Sequence, residues 1–160
     1  MFIHDFLRHT LPVGAALLLA ISPIKAADPD STTILVFDGS GSMWAELEGR
    51  TRIEVARDVL SDYLASRNMS SPLGVIAYGH RRRGDCSDIE TLFPAGIQDA
   101  QEVSERIRSL NPKGKTPISA ALRMAAAQVP RTAEEADIIL ITDGIETCVP
   151  DVCADRKSVV

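Results

Sequence analysis

From Thr33 to Phe37 the chain reads TILVF, an unbroken apolar and β-branched run. Such a run predicts a strand buried on both faces. A loop of small residues follows at once, Asp38-Gly39-Ser40-Gly41-Ser42. Thr51 and Glu54 then stand three apart, the spacing of a capping box, with Thr51 at N-cap. Behind them Ile53, Ala56, Leu60, Tyr63 and Leu64 recur at helical spacing, which predicts a helix ending near 66–68. Leu73–Tyr78 (LGVIAY) predicts a second buried strand. His80-Arg81-Arg82-Arg83-Gly84-Asp85 reads as a turn, and Ile89–Phe93 as a weaker edge strand forming a hairpin with the second. Asp99 and Glu102 open another helix, with Val103, Ile107 and Leu110 on one face. After the loop 111–115, Thr116 at N-cap and Pro117 at N1 predict a third helix, with a stripe of Ile118, Leu122, Ala125 and Val129. Asp137–Thr142 (DIILIT) is a last strand, doubly buried in pattern, and Asp143-Gly144 ends it. Strands alternating with helices imply an α/β, Rossmann-like fold with a mainly parallel sheet and helices on both faces.

The N-terminus follows a different logic. Leu11–Ile21 is 11 residues of almost wholly apolar sequence after Arg8, with small residues at Ala26 and Ala27. That run is too short to span a bilayer, which takes about 20 residues. It has the form of a cleavable secretory signal over residues 1–26, so the chain is expected to be exported, periplasmic or secreted. No cysteine follows the cleavage position, so a lipoprotein anchor is not expected there.

Composition narrows the function. The 160 residues carry a net charge of −5, which argues against a nucleic-acid binder acting through bulk charge. Three cysteines are too few for a disulfide scaffold or a four-ligand zinc site. His80 is the one histidine beyond the signal, and no nucleophile stands near it in the sequence. Gly114-Lys115-Thr116 mimics the end of a phosphate-binding loop, but Ser109 stands where its first glycine belongs. Ser40 has Asp38 and Ser42 at the positions where a nucleophile elbow needs glycines.

In open α/β sheets ligands bind beyond the carboxyl ends of the strands. Asp38 and Asp143 sit at two such ends, with Ser40 and Ser42 in the following loop and Thr116 opening a helix on the same side. Two carboxylates and three hydroxyls are hard oxygen donors, suited to Mg2+, Mn2+ or Ca2+ rather than zinc or copper. The three segments, in this order, resemble the metal-ion-dependent adhesion site of von Willebrand factor type A (VWA) domains, bacterial exported type. The resemblance runs from Thr33 to about Cys153. It implies that Ser40 and Ser42 ligate directly, that Thr116 does so in the ligand-bound form, and that Asp38 and Asp143 act mainly through water. An Asp or Glu carboxylate of a protein partner would complete the coordination.

Other residues carry two readings each. Arg81–Arg83 reads as a solvated turn balanced by Asp85 and Asp88, or as a rim steering an acidic partner. His80 reads as a solvated turn residue. Trp44 either packs under the loop or forms an exposed contact. Glu146 is either a negative charge near the site or an ordinary surface acid. Cys148 could pair with Cys153 or with Cys86, which would join two loops at one end of the sheet.

The family resemblance implies further helices and strands after the Asp143 loop, so residues 27–154 are expected to be the N-terminal part of a VWA domain. Residues 155–160 (DRKSVV) resemble the translation of a sequencing adapter and are expected to be non-native. The expected function is cation-dependent protein binding in the bacterial cell envelope, without enzyme activity, nucleotide or nucleic acid. A scaffold of the same fold lacking a working metal site is the first alternative. A hydrolase using Asp38 as nucleophile is the second.

Overall fold

The computed structural model describes residues 31–150. The expected signal, the 155–160 tail and Cys153 lie outside them. β1 (Ser31–Asp38) leads into a 3-10 turn at Gly41–Trp44, then a two-stranded ribbon of β2 (Glu46–Leu47) and β3 (Arg50–Thr51). α1 (Arg52–Ser66), β4 (Leu73–Tyr78), β5 (Ile89–Gly96), α2 (Ala100–Arg108), α3 (Ile118–Gln128) and β6 (Glu135–Ile141) follow.

The main sheet has the order β5-β4-β1-β6. β4 and β6 flank β1 in parallel, and β5 runs antiparallel to β4 as the expected hairpin edge. Helices cover both faces. Leu35 and Phe37 of β1 join Leu73, Val75 and Ala77 of β4 beneath α1 and α2. Ile34, Val36, Ile76 and Tyr78 point the other way and pack with Ala121 and Ala125 of α3. The alternation within β1 and β4 explains their unbroken apolar sequence, since each strand needs apolar side chains on both faces.

Local signals shape the helices. The Thr51 hydroxyl accepts from Glu54 N–H, and the Glu54 carboxylate accepts from Thr51 N–H, completing the capping box of α1. Asp99 accepts from Glu102 N–H at the start of α2. The expected cap of α3 is not found. Pro117 occupies the N-cap position, and α3 begins at Ile118 without a side-chain cap from Thr116. Glu146, from the loop after β6, accepts from Ser119 N–H instead at 2.8 Å. A carboxylate brought in from a distant loop meets the positive end of the helix dipole.

β6 also departs from its pattern. Among the described residues it pairs on one side only, and its first four residues are exposed. Ile138 is correspondingly 39% exposed.

Gly79, just beyond β4, sits at φ +68°, where an added Cβ would lie 2.4 Å from the Lys115 carbonyl oxygen and 3.0 Å from Ser40 Cα. Backbone from three segments meets there, so the position admits glycine alone. Gly79→Ala is expected to destabilise the fold by at least about 2 kcal/mol, read by denaturant unfolding.

Candidate metal centre

The sheet register builds the site. Asp38, the last residue of β1, is level with Tyr78 of β4 on one side. On the other side Phe37 is level with Ile141, so Thr142 comes level with Asp38. The Asp38 side chain is fully buried. Its Oδ1 accepts from Ser40 N–H at 2.7 Å, an Asx turn that sets the loop's direction. Its Oδ2 accepts from the Thr142 hydroxyl at 2.6 Å. Thr142 Oγ1 in turn accepts from the Tyr78 hydroxyl at 3.2 Å and from Gly144 N–H at 3.1 Å. Burial, and then the charge of Asp38, push the Tyr78 phenol well above its ordinary range, so it stays a donor.

A second chain of bonds starts from the serines. Ser40 Oγ lies 3.0 Å from Ser42 Oγ, and Ser42 Oγ donates to Asp143 Oδ1 at 2.9 Å. Ser42 has one hydroxyl hydrogen and gives it to Asp143, so Ser40 is the donor of the serine pair. Asp143 Oδ2 accepts from Arg52 Nη1 at 2.5 Å. Thr116, 4% exposed, is held by Thr147, which accepts the Thr116 N–H and donates its own N–H to the Thr116 carbonyl. A Cβ placed on Gly144 would stand 3.5 Å from Thr116 Cγ2, 3.7 Å from Ser42 Oγ and 3.8 Å from Asp38 Oδ2. Asp38, Ser42 and Thr116 therefore lie around Gly144, Thr116 with its methyl carbon nearest, and hydrogen bonds tie Ser40 and Asp143 to Ser42. All five residues expected from sequence come together.

The loop 111–115 is stitched to the same place. Gly41 N–H donates to Gly114 O, while Lys113 N–H and Gly114 N–H both donate to Gly79 O. Trp44 reaches the loop 111–115 from an exposed position. Its indole N–H donates to Pro112 O at 2.8 Å, and its ring remains 50% exposed.

The donor chemistry fits a hard divalent cation. Among the described residues no cluster of three or more His, Cys, Asp and Glu could hold a metal. The candidate set is instead two carboxylates with three hydroxyls, which excludes the nitrogen and sulfur coordination favoured by zinc and copper.

His80 and Glu146 depart from the sequence reading, while the arginine turn follows its reading as an exposed turn balanced by Asp85 and Asp88. His80 is buried rather than solvated, with Nε2 2.8 Å from Glu90 Oε2. The reason is Gly39, whose lack of a side chain lets the backbone of the metal loop press against His80 Cβ. Asp88 is fully buried and accepts from Arg81 N–H, Arg82 N–H and Arg81 Nε, while Arg82 also pairs with Asp85. The arginine turn is thus exposed on top and anchored from below. Glu146 is not an ordinary surface acid. Besides capping α3, it accepts from Cys148 N–H and Val149 N–H. Burial raises the Glu146 carboxyl, but these backbone bonds outweigh it and hold the group below its ordinary value.

Of the two pairings open in the sequence, the structure has Cys86–Cys148. The bond joins the arginine turn to the loop after β6.

Sequence reasoning missed Tyr78, Thr142 and Arg52. The rule that ligands gather at strand carboxyl ends could have found the first two. Arg52 also carried a signal, as a cation in the first turn of a helix, where the dipole disfavours it.

A model of the von Willebrand factor type A domain matches residues 33–146 of the chain. The chain belongs to this family. Among its relatives is YwmD, an uncharacterized protein of Bacillus subtilis (strain 168). It is 29% identical over an alignment of 156 residues that covers 89% of this chain and 69% of YwmD. YwmC of the same strain is 24% identical over 158 residues, covering 88% of this chain and 70% of YwmC. The VWA fold recurs in the vWF domain of the type V pili tip protein Mfa5 from Porphyromonas gingivalis, at TM-score 0.58 and 22% identity. An aerotolerance-related membrane protein from Bacteroides fragilis NCTC 9343 matches at TM-score 0.63 and 24% identity. The alignments cover 73% and 79% of this VWA chain, but only 38% and 60% of those two. These likenesses establish the fold.

Two consequences are measurable. The Cys86–Cys148 bond spans 62 residues, so its reduction should cost about 4 kcal/mol if loop entropy dominates. Denaturant unfolding with and without reductant measures the loss. Burial raises the Asp88 carboxyl, but the Arg82 and Arg81 bonds win and lower it below its ordinary 3.8. Its contribution to stability is therefore complete above that value and lost as pH falls through the lower folded value. Asp88→Asn should unfold at lower denaturant at neutral pH, with the gap to wild type closing in that acid range.

Proposed function

We propose that this VWA domain binds a divalent cation, Mg2+ foremost and Mn2+ or Ca2+ otherwise. Through the cation it would grip an acidic side chain of a protein partner at the bacterial cell envelope. The observation that carries this reading is that Asp38, Ser42 and Thr116 gather around Gly144, with Ser40 and Asp143 bonded to Ser42. When bound, the cation supplies a Lewis-acidic position open to an exogenous carboxylate. Ser40, Ser42 and Thr116 are neutral donors and leave most of its charge unquenched. Asp38 and Asp143 hold and balance it, with Asp38 oriented by Ser40 N–H and Thr142.

Export rests on the expected signal over residues 1–26. The Cys86–Cys148 bond supports it, because such bonds persist in oxidising compartments. A surface-adhesion setting draws support from neighbours of the same fold. These include the Mfa5 pili tip protein and the pilus adhesin SpaC from Lactobacillus rhamnosus GG, which matches at TM-score 0.59, 23% identity and 16% of its chain. A binding module without catalysis is favoured over a hydrolase, because Asp38 is buried and both its oxygens are engaged. His80, the one histidine in the described residues, is tied to Glu90 and so is poorly placed to act as a general base.

Calorimetry with Mg2+ tests the reading. Wild type should bind with heat, and Ser42→Ala should weaken binding at least about tenfold, the loss of one well-placed ligand. Absence of binding by wild type would leave the scaffold alternative standing. Phosphatase or esterase turnover lost in Asp38→Ala would favour the hydrolase.

A further inference from the structure

Arg52 has no part in the donor set, yet it makes the closest contact to it. It is the first residue of α1, where the helix dipole disfavours a positive charge. Its backbone is fixed there by its N–H bond to Ala45 O. The guanidinium reaches across to Asp143 Oδ2. The Asp143 side chain is only 9% exposed, while that of Arg52 is 39% exposed. Both Asp143 oxygens are therefore engaged from within the chain, one by Ser42 and the other by Arg52. Nearly buried and without a cation, this carboxylate would otherwise stand uncompensated beside that of Asp38.

We infer that Arg52 is a built-in counterion that neutralises Asp143 in the cation-free site and gives it up when a divalent cation binds. The inference rests on the cation reading and adds the regulation of that site. Two positive charges compete for one carboxylate, so Arg52 lowers the cation affinity. It also stabilises the cation-free form, which keeps the fold independent of cation supply. The exchange has room to happen. Arg52 and Asp143 line one open groove of about 390 Å³ with Leu47, Val55, Val59 and Ile141, so the guanidinium can leave without disturbing the core. A released guanidinium stays at the site's edge, placed to pair with an acidic partner.

The test compares the full chain with Arg52→Gln by Mg2+ calorimetry and by thermal unfolding without metal. Arg52→Gln should bind Mg2+ about tenfold more tightly, within the usual range of coupling between two sites. Its metal-free melting temperature should fall, and the rise on adding Mg2+ should exceed that of wild type. Equal or weaker Mg2+ binding by Arg52→Gln, with wild type still binding, overturns the counterion role alone. No Mg2+ binding by either protein overturns the cation reading and this inference with it. A measurement on the unmutated chain keeps the test independent of how the variant folds. The Arg52 guanidinium NMR signal should shift with the same midpoint as Mg2+ binding. A signal that stays in place while Mg2+ binds also overturns the inference.

Discussion

The structure is organised around a buried negative charge. Asp38 stands at the end of the central strand with no exposed surface. A carboxylate so placed is costly unless hydrogen bonds replace its lost water. Two strands and one turn supply them. β6 brings Thr142, β4 brings Tyr78 behind Thr142, and the turn after β1 folds Ser40 N–H back onto Oδ1. The parallel register of β4 and β6 on either side of β1 is what aligns these groups. A one-residue slip of either strand would turn its side chains to the opposite face and leave the charge unsatisfied. The same register that packs the apolar core thus also satisfies the charge.

Much of this was legible locally. The limits of β4 follow from its apolar run, and the start of α1 follows from the Thr51–Glu54 spacing. The loop Asp38–Ser42 was recognisable because small residues and oxygen donors crowd a strand end. What was illegible depends on partners distant in sequence. Thr116 looked like the cap of α3 because Thr before Pro usually is one. The cap comes instead from Glu146, 27 residues beyond Ser119, and no local spacing encodes that contact. His80 looked solvated among arginines, but its surroundings are set by Gly39 and Glu90, on two other segments. Tyr78 and Thr142 read as ordinary strand residues until the register placed them beside Asp38.

The loops at this end of the sheet are held by connections of different kinds. Backbone bonds join the metal loop, the end of β4 and the loop 111–115 around Gly79. Asp88 anchors the arginine turn from beneath, and the Cys86–Cys148 bond ties that turn to the loop after β6. Glu146 connects that last loop to the start of α3. Thr116, in the backbone just before α3, is tied to the same loop through Thr147. Each segment that contributes a candidate ligand is thus fixed to at least one other, the preorganisation a small ion demands of its site.

The direction of the hydrogen bonds carries the argument one step further. Ser40 donates to Ser42, Ser42 donates to Asp143, and Thr142 donates to Asp38. Each of these two chains of hydroxyls therefore ends on a carboxylate, Asp143 in one and Asp38 in the other. Hydroxyls polarised this way keep lone pairs on Ser40 and Ser42 while their hydrogens stabilise the negative groups. A network ordered to quench one buried and one largely buried carboxylate also presents oxygen acceptors. The residues that satisfy a buried charge are also of the kind a hard cation would select. That overlap is why a strand end bearing Asp, with serines two and four residues later, reads so clearly as a site even before its geometry is known.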